Sequence, residues 1–199
     1  MNVRRLLLVA LGLIMTAGAC SREGQRTAAE PPLAGARIGG PFALIDQNGR
    51  TVRDTDFAGR WRIVYFGYSF CPDVCPTGLQ NLGAGLRAFE RSDPARGAKV
   101  VPIFITVDPA RDTPAAIKPF VAAFHPRLVG LTGTEAQVKA VAKAYGIYAA
   151  RGADQPGGGY LVDHSDQAYL MDPAGKPVAL LSSHGPPQKV AEELAQWVE

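Results

Sequence analysis

Ile63-Val-Tyr-Phe-Gly-Tyr-Ser-Phe-Cys-Pro-Asp-Val-Cys-Pro76 decides how the rest of the chain is read. Ile63 to Tyr68 is a nearly unbroken apolar run, the pattern of a strand buried on both faces. Cys71 and Cys75 follow at once, with three residues between them. Pro76 suits the first position of a helix, which makes Cys75 its N-cap, and the helix is expected over about Thr77 to Arg91. A thiol there sees the positive end of the helix dipole, so its pKa should fall. The thiolate is the form that binds metal and attacks disulfides. The spacing lets the two thiols face one another across a turn, either as a disulfide or as two ligands of one soft ion. So short a loop makes a poor structural staple, because loop-closure stabilisation grows with loop length.

Outward from this stretch, Phe42–Ile45 and Thr51–Val52 flank Asp46-Gln-Asn-Gly49 and read as an N-terminal hairpin. Val100–Val107 is a second buried strand, with Pro102 awkward inside it. Thr113-Pro114 opens a helix to about Phe124. Thr134-Glu-Ala-Gln137 is a capping box that opens another, to about Tyr145. Ala168–Met171 and Val178–Leu181 are short strands around Asp172-Pro-Ala-Gly175. Val190, Leu194 and Trp197 recur at helical spacing, so the chain ends in an amphipathic helix. This order predicts an α/β fold, a mixed sheet with helices on both faces behind the hairpin. That is a thioredoxin-like arrangement, with the cysteines where a buried strand gives way to a helix.

The 199 residues are 47% apolar and 20% charged, ordinary for one globular domain. The net charge of +3 includes Arg4 and Arg5, and no block of basic residues appears. A nucleic-acid partner is therefore not expected. Arg4-Arg5 and the apolar run Leu6–Ala19 form a targeting segment, too short to span a bilayer comfortably. It ends in Ala17-Gly18-Ala19-Cys20, which resembles a lipobox with Cys20 lipidated; plain cleavage after Ala-Gly-Ala and a retained anchor are the alternatives. The expected division is a signal peptide over 1–19, a linker over 20–37 and one domain over 38–199. Lipid on Cys20 would leave Cys71 and Cys75 as the free thiols, in an oxidising compartment on the periplasmic side of a membrane.

Two thiolates do not complete a copper site, and three histidines could add to them. His125 precedes a proline at a helix end, and His184 lies in a turn before the last helix. His164 follows the glycine-rich stretch Gly157-Gly-Gly159, which can move, and it stands in a polar Asp-His-Ser run with little reason to be core. Two thiolates and an imidazole suit copper, sulfur for Cu(I) and imidazole for Cu(II); zinc could use the same set. Met171 reads as core. Asp163 can orient His164 or cap its loop. Asp73 can tune the thiols or simply be solvated. Asp108, Arg111 and Asp112 read more readily as a turn than as part of a site.

Gly67-Tyr-Ser-Phe-Cys71-Pro-Asp-Val-Cys-Pro76, Phe104-Ile-Thr-Val-Asp-Pro109, Arg111-Asp-Thr-Pro114, Gly130-Leu-Thr-Gly133 and Asp163-His-Ser165 with Tyr169-Leu-Met-Asp-Pro173 together resemble the Sco/SenC family. The resemblance implies a thioredoxin fold with copper, as Cu(I) or Cu(II), on Cys71, Cys75 and His164. It implies a role in maturing the binuclear copper centre of cytochrome c oxidase. Delivery of copper to that subunit and reduction of its cysteines by a redox-active Cys71–Cys75 pair both remain open. The partners expected are that copper-containing subunit, an upstream copper donor or thiol reductant, and a membrane.

Overall fold

The computed structural model describes residues 30–199, and the compact unit begins at Pro31. The signal segment and Cys20 lie outside the described residues. Among the described residues, no helix is long and apolar enough to cross a membrane.

The quoted stretch becomes β3 (Trp61–Gly67) followed by α1 (Val74–Ser92). All seven residues of β3 are buried, because the sheet is covered on both sides. Trp61, Ile63 and Tyr65 enter one cluster, with Leu79, Leu82, Leu86 and Phe89 of α1. Val64 and Phe66 enter the other. Strand alternation thus sends the same apolar run into two cores. Each fully buried side chain of this size stabilises the fold by about 1.5–3 kcal/mol.

β3 runs parallel to β4 (Val100–Thr106) and antiparallel to β8 (Ala168–Met171). β5 (Val129–Thr132) lies beyond β4, parallel to it. The hairpin of β1 (Ala43–Asp46) and β2 (Thr51–Arg53) closes that edge, and β9 (Pro177–Leu181) closes the other. The order is β2-β1-β5-β4-β3-β8-β9, a seven-stranded mixed sheet. Besides α1, one face carries α3 (Pro114–Ala122) and α5 (Pro187–Trp197). A four-residue α2 (Pro94–Gly97) follows α1, and α4 (Glu135–Ala144) covers the opposite face. The thioredoxin-like mixed sheet with helices on both faces and an N-terminal hairpin is therefore present.

Thr134 and Gln137 cap α4 reciprocally, and Thr113 caps α3, as their sequences predict. Pro102 sits inside β4 without breaking it. Trp61 N–H donates to Lys99 C=O and Val107 N–H to Gly67 C=O. Alternation then directs the odd-numbered amides of β4 to β3, so the donor missing at Pro102 faces the β5 side. β5 pairs with β4 only from Ile103 onward, and no ladder bond is lost.

Three findings depart from the sequence reading. A further two-stranded sheet, β6 (Ala149–Asp154) and β7 (Tyr160–His164), stands apart from the main sheet, with Gly157–Gly159 in its connecting loop. The last part of the expected linker is packed: Leu33 N–H donates to Val178 C=O, and its side chain lies against the second cluster. Finally, α1 begins at Val74, with Asp73 at its N-cap, so Cys75 lies inside the first turn and Pro76 is its third residue. First-turn amides have no intrahelical partner, so proline costs nothing there either.

Candidate metal centre

The loop between β3 and α1 carries Cys71, the first turn of α1 carries Cys75, and the last residue of β7 is His164. Their ligand atoms all lie within 4.8 Å of one another. Both cysteines are free. Cys75 Sγ stands 3.2 Å from His164 Nε2. His164 Nδ1 is 2.8 Å from the Ser165 carbonyl, which can only accept, so the ring proton is on Nδ1. The Nε2 lone pair is thereby aimed at the sulfur, and the Cys75 S–H donates to it. Fixing a tautomer in this way is what a metal-binding imidazole requires.

Burial pushes the Cys75 thiol well above its ordinary range. This corrects the expected fall: inside the first turn and fully covered, desolvation of the thiolate outweighs the helix dipole. Gly67 makes room for the sulfur. A Cβ there would stand 2.8 Å from Cys75 Sγ and 3.3 Å from the Phe104 and Tyr65 rings. Burial above all, and next Cys75, raises the pKa of the Tyr65 hydroxyl.

Cys71 and His164 face an open cleft with Tyr68, Pro72, Asp73, Val74, Leu161, Val162 and Asp163. Asp163 is exposed at the cleft and does not orient His164; the Ser165 carbonyl does. Asp73 is exposed too, and its side chain forms no cap bond. Tyr68, at the end of the apolar run, is buried and also shapes the site. Its ring meets the His164 ring edge-on at 5.6 Å, and its hydroxyl accepts from Val162 N–H at 3.2 Å.

Asp108, Arg111 and Asp112 form the expected turn, since Arg111 and Asp112 N–H both bond Asp108 C=O. They also reach the site. Fully buried Asp112 accepts from Ser69 N–H at 3.0 Å, from Ser69 Oγ and from Thr106 Oγ1 at 2.7 Å, which fixes the cysteine loop. Burial raises its carboxyl pKa against the pull of those bonds. Spacing could not reveal this, because Ser69 and Asp112 meet only once β3 and β4 are paired.

The other candidates stand elsewhere. Met171 is wholly buried in β8. His184 pairs with Asp166 at 2.8 Å. His125, 2% exposed, accepts Arg127 N–H on Nδ1 and faces Glu90. Burial lowers its pKa. A histidine depressed on folding stabilises the neutral form, so its contribution is complete above the ordinary value of about 6.5 and is lost as the pH falls below it. Denaturant midpoints measured from pH 8 to pH 5 should therefore decline below about 6.5, and His125→Phe should flatten that decline.

The SCO1/SenC family model matches residues 30–199. The Arabidopsis thaliana protein SCO1 homolog 1, mitochondrial, is 44% identical over 145 residues, 72% of this chain and 42% of that protein. The chain thus spans less than half the length of that relative. A SCO2-like protein of Rickettsia felis is 34% identical over 97% of this chain and 96% of its own. A crystal structure of Arabidopsis thaliana ScoI with copper bound superposes with a TM-score of 0.74 at 37% identity, covering 80% of this chain and 97% of that one. The family model covers the whole described region, and the Rickettsia relative aligns nearly end to end: the chain belongs to the SCO1/SenC family.

Proposed function

We propose that the protein binds copper as cargo on Cys71, Cys75 and His164 and serves the binuclear copper centre of cytochrome c oxidase. The observation that carries the reading is the convergence of two thiols and one correctly protonated imidazole. Donors sharing one ion at about 2.0–2.3 Å lie no more than about 4.6 Å apart. Side chains already within 4.8 Å need only a small closure to meet that limit. The donor set suits copper in both states, and the ScoI relative was solved with copper bound. Metal displaces the proton from Cys75 Sγ, and the His164 lone pair already points into the site. Cys71 and His164 face the cleft, where a donor or acceptor of copper can reach them.

The setting proposed is the periplasmic side of a membrane, with lipid on Cys20 as the anchor. Arg4-Arg5, the short apolar run and the small residues before Cys20 support it. The partners proposed are the copper-containing oxidase subunit and an upstream copper donor or reductant. Exchange of disulfides by Cys71 and Cys75 is the weaker reading, because it has no use for an imidazole aimed at Cys75.

Titration of the reduced protein tests the proposal. It should take up one copper per chain and, with Cu(II), show a thiolate-to-copper charge-transfer band. Oxidation of the pair should abolish uptake, because a disulfide sulfur is a poor ligand. His164→Ala should shift the band and weaken Cu(II) by about 10–100-fold or more. Unchanged uptake by the oxidised protein, or an unchanged band in His164→Ala, would exclude the three-ligand site.

A further inference from the structure

His164 rides on a ribbon that the main sheet does not hold. β6 and β7 pair only with each other, and a lone two-stranded hairpin is marginal by itself. What fastens it must therefore be side chains. Tyr160, Val162 and His164 alternate on one side of β7. Val162 is held by the Tyr68 hydroxyl and His164 faces Cys75. Tyr160 is held by Arg111 and Asp108, from the loop after β4.

That fastening is dense. Arg111 Nε donates to Asp108 Oδ2, and Arg111 Nη1 donates to Tyr160 C=O at 2.9 Å. The Tyr160 hydroxyl donates to Asp108 Oδ1 at 2.8 Å. The guanidinium carbon lies 3.7 Å from the Tyr160 ring centroid, 4.9 Å from that of Phe70 and 5.5 Å from that of Tyr68. Phe70 adjoins Cys71. One planar cation thus joins the strand that carries His164 to the loop that carries Cys71, while its ion pair with the 5%-exposed Asp108 side chain holds it in place. A lysine could supply the charge but neither the fork nor the flat face.

We infer that Arg111, held by Asp108, is a positioning residue that latches the β6–β7 hairpin and so sets His164 against the two cysteines. The inference rests on the copper reading for its consequence: unlatching should remove the imidazole and leave both thiols. Cu(I), which two thiolates can hold, should tolerate that better than Cu(II).

The test compares the parent with Arg111→Ala, Arg111→Lys, Tyr160→Phe and His164→Ala. Arg111→Ala should weaken Cu(II) about tenfold or more, with its charge-transfer band moving towards that of His164→Ala. Its Cu(I) affinity should change by less than about threefold. Arg111→Lys should fall between, and Tyr160→Phe, which loses only one bond to Asp108, should lose less. Without metal, amides 161–164 of Arg111→Ala should exchange about tenfold faster or more, while those of β3 and β4 keep their protection. Parent-like Cu(II) affinity and exchange in Arg111→Ala would overturn the latch. Equal loss of both copper states, with faster exchange in β3 and β4, would overturn it too, by showing a general loss of structure. Failure of the parent to bind copper would instead sink the proposed function, and the metal-free exchange would still decide whether the latch exists.

Discussion

Cys75→Ser should reduce Cu(I) affinity by more than the roughly 100-fold that loss of a supporting residue costs at a metal site. Sulfur is replaced by a hard oxygen that stays protonated, and soft Cu(I) has little use for it. The fold should survive. A serine hydroxyl is smaller than a thiol, it occupies the pocket that Gly67 leaves open, and it can donate to His164 Nε2 as the thiol does. Competition with a Cu(I) chelator, run beside thermal melts, separates the two effects. An affinity within tenfold of the parent would remove Cys75 from the ligand set.

Asp112→Ala should be strongly destabilising although it touches no proposed ligand. Three donors lose their acceptor together: Ser69 N–H, Ser69 Oγ and Thr106 Oγ1. Buried donors left unpaired cost about 1–3 kcal/mol each, and partial access of water to Ser69 brings the expected total to about 3 kcal/mol. For a domain of this size that corresponds to a fall of about 6–12 °C in Tm. Because Ser69 precedes Cys71 by two residues, copper affinity should fall in the same variant. A Tm within 2 °C of the parent would show that the carboxylate does not anchor the cysteine loop.

Much of the core was legible because its signals are local. β3 and β4 declare themselves as apolar runs, and the Thr134 capping box and the Thr113-Pro114 cap lie within a single turn. The cysteine pair was legible for the same reason. The β6–β7 hairpin was not. Ala149–Asp154 is mostly exposed and rich in Ala, Arg, Gly and Asp, so it carries no apolar alternation. Without that hairpin, residue chemistry alone gave His164 only an edge over His125 and His184, and the family motif decided among them. The start of α1 was misplaced because proline fits its third position as well as its first. The rise of the Cys75 pKa is hidden with it, since a helix start is visible in sequence and desolvation is not. Arg111 looked like a turn residue because its partners Tyr160 and Phe70 are distant in sequence.

The unequal burial of the two cysteines gives the pair a direction. Cys71 keeps 9% of its surface and lines the cleft, whereas Cys75 has none. Were the pair oxidised, an incoming thiolate could approach only the Cys71 sulfur. The new bond would form there, the old one would break, and the electron pair would leave on Cys75. In that state Cys71 would be the sulfur open to other thiols and Cys75 the leaving group, a slow one, since burial holds its thiol pKa high.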